Sequence, residues 1–144
     1  QGLATQSGYG NARRMATGYD YNRLSMVLAV LEKRAGYYFS NNDTYINIVG
    51  GLRVDEPAID LAIAMALISS LKDTPIDEKA VVFGEIGLAG EIRAVSQAQL
   101  RVNEAVRLGF EKIVLPYHNL KGLTCDNAAL IGVKNIREAF EAIS

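Results

Sequence analysis

Few residues in this chain could do chemistry, and most of them cluster around one turn. The stretch GEIGLAGEIRAVSQAQLR, residues 84 to 101, reads as a strand, a glycine-turned hairpin and a helix start. Such a turn presents the first helical turn outward, where enzymes place nucleophiles and bases. The residues presented here are Ser96, Gln97, Ala98 and Gln99. A serine three residues before Gln99 has helix capping as its ordinary role. A carboxamide does not titrate near neutrality and takes no proton from a hydroxyl. Arg101 stays protonated and is excluded as a base.

The remaining reactive groups are scattered. His118 is the single histidine and follows Pro116 and Tyr117 in a loop, with no serine or cysteine in a nucleophile motif; it reads as a surface group. Cys125 is the single cysteine, which excludes an internal disulfide or a cysteine zinc cluster and fits a reducing compartment. No metal site and no bound cofactor are expected, and the GxxxxGK[ST] phosphate loop is absent. Asp55 and Glu56 precede an apolar helix, where carboxylates cap and favour the positive end of the dipole. Asp60, one turn further in, is expected to hold a structural hydrogen bond or to lie at a subunit contact.

The elements that position these groups follow from periodicity. Residues 10 to 19, GNARRMATGY, read as a polar loop. Asp20 caps a helix from Tyr21 to about Arg34, with Leu24, Val27, Leu28 and Leu31 on one face and Gly36 as its stop. YYFSNNDTYINIVGG reads as a hairpin turning at Asn41, Asn42 and Asp43. DEPAIDLAIAMALISSLK is a central helix, apolar nearly all round. Ala80 to Ile86 and Glu91 to Ala94 are strands of a second hairpin. An amphipathic helix from Gln97 to Leu108 is closed by Gly109. Lys112 to Leu115 and Ala129 to Lys134 are strands, and Asn135 caps a last helix through Ile143.

The expected class is α+β (mixed α/β), with helices packed on one mixed sheet, in a single domain over residues 1–144. The chain has 144 residues, 49% of them hydrophobic, enough for a real core. No apolar run reaches the roughly 20 residues a spanning helix needs, so a soluble, cytoplasmic chain without membrane contact is expected. Gln1 in place of Met points to a piece of a longer protein. Overall charge is near balance, with 15 Lys plus Arg against 16 Asp plus Glu. Its distribution is uneven. In residues 1 to 34, Arg13, Arg14, Arg23, Lys33 and Arg34 stand against Asp20 and Glu32, a weak pointer to an anionic partner that charge alone favours no more than a merely solvated face.

The ordered motifs GGLRVDEPAIDLAIAMALIS and VVFGEIGLAGEIRAVSQAQLRVNEAVRLGFEKIVLP resemble the proteolytic domain of Lon proteases. That family places a nucleophilic serine at a helix start and a lysine in the turn after the hairpin. By counting, the serine position is Ala58 and the lysine position is Gln99, a degenerate dyad with which peptidase activity is not expected. With the added GNARR, GYDYNRL and LEKRAG motifs, the whole chain is similar to the C-terminal Lon-like domain of the bacterial RadA (Sms) family. The resemblance implies a scaffold that joins a homo-oligomeric, hexameric ring and contributes sequence-independent DNA contacts to an ATP-driven branch-migration helicase. ATP, Mg and Zn would belong to the ATPase and zinc finger of the parent, outside this chain, as would any contact with a recombinase filament.

On that reading Arg13 and Arg14 are the leading DNA contacts, with Lys33, Arg34, Lys72 and Lys112 as further candidates. Tyr9, Tyr19 and Tyr21 flank the basic loop; packing is the safer role for them, stacking on bases the alternative. Two other functions stay open: a purely structural oligomerisation module, and a peptidase with a displaced nucleophile, for which Ser96 is the positional candidate.

Overall fold

The computed structural model describes residues 1–8, 10–48 and 56–144. Tyr9, Asp55 and the whole GGLRV segment lie outside the described residues. The elements in chain order are β1 (Gly2–Gln6), β2 (Arg14–Thr17), α1 (Tyr21–Ala35), β3 (Asn42–Asn47), a 3-10 turn (Pro57–Ile59) and α2 (Asp60–Lys72), followed by β4 (Ala80–Val82), β5 (Glu85–Ile86), β6 (Ile92–Arg93), α3 (Ala98–Arg107), β7 (Lys112–Pro116), a 3-10 turn (Tyr117–Asn119), β8 (Ala129–Val133) and α4 (Ile136–Ile143). The class is α+β. The described strands form three sheets where one was expected.

The first sheet has the order β1-β3-β2, antiparallel on one side and parallel on the other. It corrects two expectations. Residues 14 to 17 form a strand inside what reads as a loop, and Asn42–Asn47 pairs with β1 and β2 instead of folding back on Tyr37–Phe39. The reason is burial: β3 directs Thr44 and Ile46 inward, and β1 lays Gly2 and Ala4 on α2. A side chain at Gly2 would come within 3.1 Å of the Ala66 Cβ, so glycine sets the approach of strand and helix.

α2 is buried through Leu61, Ile63, Ala64, Met65, Leu67 and Ile68, as an all-round apolar helix must be. α1 lays Leu24, Val27, Leu28 and Leu31 against it. Asp20 caps α1 by accepting from the Asn22 N–H, and Gly36 ends it at φ 77°.

The second sheet, β4-β7-β8, is wholly parallel and covered on both faces. Val114 of β7 joins the core of α1, α2 and α4, whereas Ile113 and Leu115 face a separate cluster with Phe83, Val102 and Ala105. β5 and β6 make the small third sheet, the hairpin of the GEIGLAGEIR stretch. The expected strand Ala80–Ile86 is therefore split. The break falls at Gly84, where an added Cβ would lie 2.9 Å from Ile92 Cγ2 and 3.2 Å from Leu61 Cδ2. α4 starts on Asn135, which accepts from the Glu138 N–H.

Candidate functional site

The glycine at the strand break ties the two segments of the candidate site together. The Gly84 N–H donates to the Ala58 carbonyl at 2.8 Å, and the Leu61 N–H donates to the Gly84 carbonyl at 3.0 Å. The start of the central helix is thereby stitched to the hairpin. Asp60 adds the strongest link. It is fully buried and accepts from Tyr19 Oη at 2.8 Å, from Arg23 Nε at 2.8 Å, from the Arg23 terminal nitrogen and from the Ile86 N–H at 3.2 Å. Glu85 stands 3.7 Å from the same guanidinium. Burial, then donation to Asp60, holds the Tyr19 phenol above its ordinary pKa, and the bond to Asp60 raises that of Arg23. Asp60 is a satisfied structural carboxylate, and Tyr19 is packed, with 4% of its surface exposed.

A cleft of about 130 Å³ lies beside this stitch, with Ala58, Ser96, Glu56, Glu85 and Arg101 among its walls. Ala58 offers no nucleophile there, and its methyl group is buried. Glu56 does not cap the helix through its side chain, as expected of it; it forms an ion pair with Arg101 across the cleft. Ser96 is no cap either. Gln97 takes the cap position at φ 62° with no side-chain bond, and the Ser96 carbonyl accepts from Arg101 Nε at 3.0 Å. Ser96 thus lines the cleft beside a paired carboxylate and guanidinium. Neither histidine nor lysine is among the described lining residues.

Gln99 is not in that cleft. Its Nε2 donates to the Thr124 carbonyl at 2.9 Å and to Asn103 Oδ1 at 2.9 Å, while its Oε1 accepts from the Thr124 N–H at 3.0 Å. Asn119 does the same for Val95, donating to its carbonyl at 3.0 Å and accepting from its N–H at 2.9 Å. Two carboxamides therefore clamp the segment before and within the start of α3 to the 117–124 loop, each satisfying a backbone donor and acceptor. Counting along the sequence identifies Ala58 and Gln99 as a pair, but the fold turns them to different neighbours. Asn119 had no sequence signal.

The basic residues divide by what their charges already do. The Arg14 guanidinium donates to the carbonyls of Phe39 and Asn42, closing the turn before β3. Lys112 pairs with Asp77 at 3.3 Å and donates to the Ala142 carbonyl at 2.9 Å. Its donation also holds the Asp77 carboxyl below the usual range, after that of the Lys79 N–H. Lys72 lies 5.3 Å over the Tyr37 ring. Arg13 is exposed, and among the described residues only its backbone is engaged, its N–H on Asp43 at 2.8 Å. Lys33 and Arg34 are exposed in the last turn of α1. His118 is exposed beside Tyr117, and Cys125 is half-buried with its thiol 3.5 Å from the Ala128 carbonyl. Among the described residues no helix is long and apolar enough to cross a membrane.

The central helix, the cleft, the hairpin and the Asn119 clamp fall within the span that a known family covers. The family model described as subunit ChlI of Mg-chelatase matches residues 21–119. The chain belongs to this family. The ChlI match runs from α1 to the second 3-10 turn and so takes in Asp60, Ala58, Gln99 and Asn119, leaving out β1, β2, β8 and α4. Beyond the ChlI span the similarity continues. The chain is 49% identical to the DNA repair protein RadA of Halalkalibacterium halodurans over 98% of its own length. It is 47% identical to that of Streptococcus pneumoniae over 99%, and 48% identical to that of Bacillus subtilis over 96%. The resemblance to bacterial RadA is shown. The chain spans about a third of the length of these relatives, 31% to 34%.

Proposed function

We propose that this chain is a non-proteolytic, Lon-like scaffold domain of a RadA-type protein, one unit over residues 1–144, that supports a homo-oligomeric ring and binds DNA without reading its sequence. One observation supports the loss of proteolysis: the cleft beside the helix start holds the Ala58 methyl group and the Glu56–Arg101 ion pair, with no lysine or histidine among its described walls. The chemistry needs an ionisable base beside a hydroxyl, and Gln99 is committed to Thr124 instead. The RadA relatives support the DNA-repair context. In this reading ATP, Mg and Zn are bound elsewhere in the parent, which drives branch migration in the cytoplasm and there meets a recombinase filament.

Arg13, Lys33 and Arg34 are the preferred phosphate contacts, because their charges are exposed; Arg14, Lys72 and Lys112 are already engaged within the fold. Two measurements test the reading. Sedimentation of the chain should show a ring-sized oligomer; a monomer at every concentration would remove the scaffold role. Incubation with an unfolded protein should release no peptides, and release that disappears in Ser96→Ala would establish a displaced nucleophile.

A further inference from the structure

We infer that Arg34 and Arg137 build a discrete phosphate-binding pocket between the end of α1 and the start of α4, and that it takes a phosphodiester of the DNA backbone. Two arginines from helices about a hundred residues apart line one recess of about 290 Å³, together with Ala89, Gly90 and Asn135. None of its lining residues among the described ones is acidic. The nearby carboxylates are occupied: Glu91 accepts from Arg93 at 3.1 Å and from the Ala89 N–H at 3.1 Å, and Glu138 accepts from the Lys134 N–H at 3.4 Å. Among the described residues neither arginine has an ion-pair partner. Two like charges in one recess repel, and an anion between them relieves that repulsion.

The recess is shaped for it in advance. Gly90, at φ +85°, ends the hairpin turn, and a Cβ there would lie 2.9 Å from the Arg34 Cβ. The glycine lets the Arg34 stem lie against the turn, so less side-chain freedom is lost when the guanidinium engages a ligand. On the other wall, Asn135 caps the Glu138 N–H and bridges to Glu91 of the hairpin, which leaves the Arg137 N–H at the start of α4 without an intrahelical acceptor. Paired guanidiniums with a helix start suit a tetrahedral oxyanion, which guanidinium engages bidentately. The identity of the strand rests on the proposed DNA binding. The anion pocket itself does not.

Both parts are tested with this chain and the variant Arg34→Gln/Arg137→Gln. Titration of labelled chain with inorganic phosphate and pyrophosphate should shift the amide resonances of Gly90, Ile136 and Arg137 in the wild type and leave them still in the variant. With a fluorescent duplex, the variant should bind about tenfold more weakly at low salt, with the log affinity–log salt slope reduced by about 1 and unchanged melting temperature. No amide response to either anion overturns the pocket. An amide response with an unaltered DNA slope overturns the phosphodiester assignment. Were the wild type to bind no DNA, the DNA-binding reading would fall, and the anion titration alone would decide the pocket.

Discussion

Asp60→Asn exchanges one oxygen for an amide and should be among the most damaging single substitutions available. The carboxylate is fully buried and receives four donors, from Tyr19, twice from Arg23 and from the Ile86 N–H. Asparagine keeps one acceptor oxygen but turns an NH2 group toward nitrogens that already donate. Breaking a buried ion pair costs about 3–5 kcal/mol. Arg23 is 26% exposed and regains some water, which places the loss near the lower bound, at about 3 kcal/mol. For a chain of this size that lowers the melting temperature by about 10 °C. Thermal and urea unfolding of Asp60→Asn, Arg23→Met and the double variant give the coupling directly. The pair should couple by at least about 2 kcal/mol, so that adding Arg23→Met to Asp60→Asn costs little more or restores stability. A melting temperature for Asp60→Asn within about 2 °C of wild type would refute the buried-pair account.

The raised Tyr19 pKa has a definite sign: the folded state keeps a proton that the unfolded chain releases above about pH 10, so the stabilisation is complete below that pH and falls as pH rises past it. Tyr19→Phe should flatten that alkaline decline in urea midpoints, and an identical decline in both proteins would contradict the linkage. Ala58→Ser/Gln99→Lys, which restores the dyad residues by count, should still release no peptides from an unfolded substrate, because residue 99 faces Thr124; measurable hydrolysis would show that the two positions meet. The Thr44 hydroxyl is buried without a protein partner among the described residues, so Thr44→Val should stabilise by about 1 kcal/mol in denaturant unfolding, and a loss of stability would reveal a hidden partner.

Helical periodicity made α1, α2, α3 and α4 legible, along with the Asp20 and Asn135 caps, because the signals lie within a few residues of one another. The first sheet was not legible. β1 and β2 are short strands that exist only by pairing across β3, and their apolar residues face both the core and the surface, with Leu3 and Met15 exposed. Strand pairing across some forty residues leaves no local trace. At the site, counting singled out Ala58 and Gln99 but not the contacts that the fold gives them. The Glu56–Arg101 pair and the two carboxamide clamps depend on which way α3 is turned, and that follows from the αL residue Gln97, where the sequence suggests an ordinary serine cap.

The most direct test of the central claim is a titration of this chain against two unrelated DNA duplexes of equal length over a series of salt concentrations, with Arg13→Ala alongside. The account predicts affinities for the two duplexes within about twofold, a steep linear fall of log affinity with log salt, and a shallower slope for Arg13→Ala. Absence of binding at low salt, or a strong preference for one sequence that survives high salt, would contradict it.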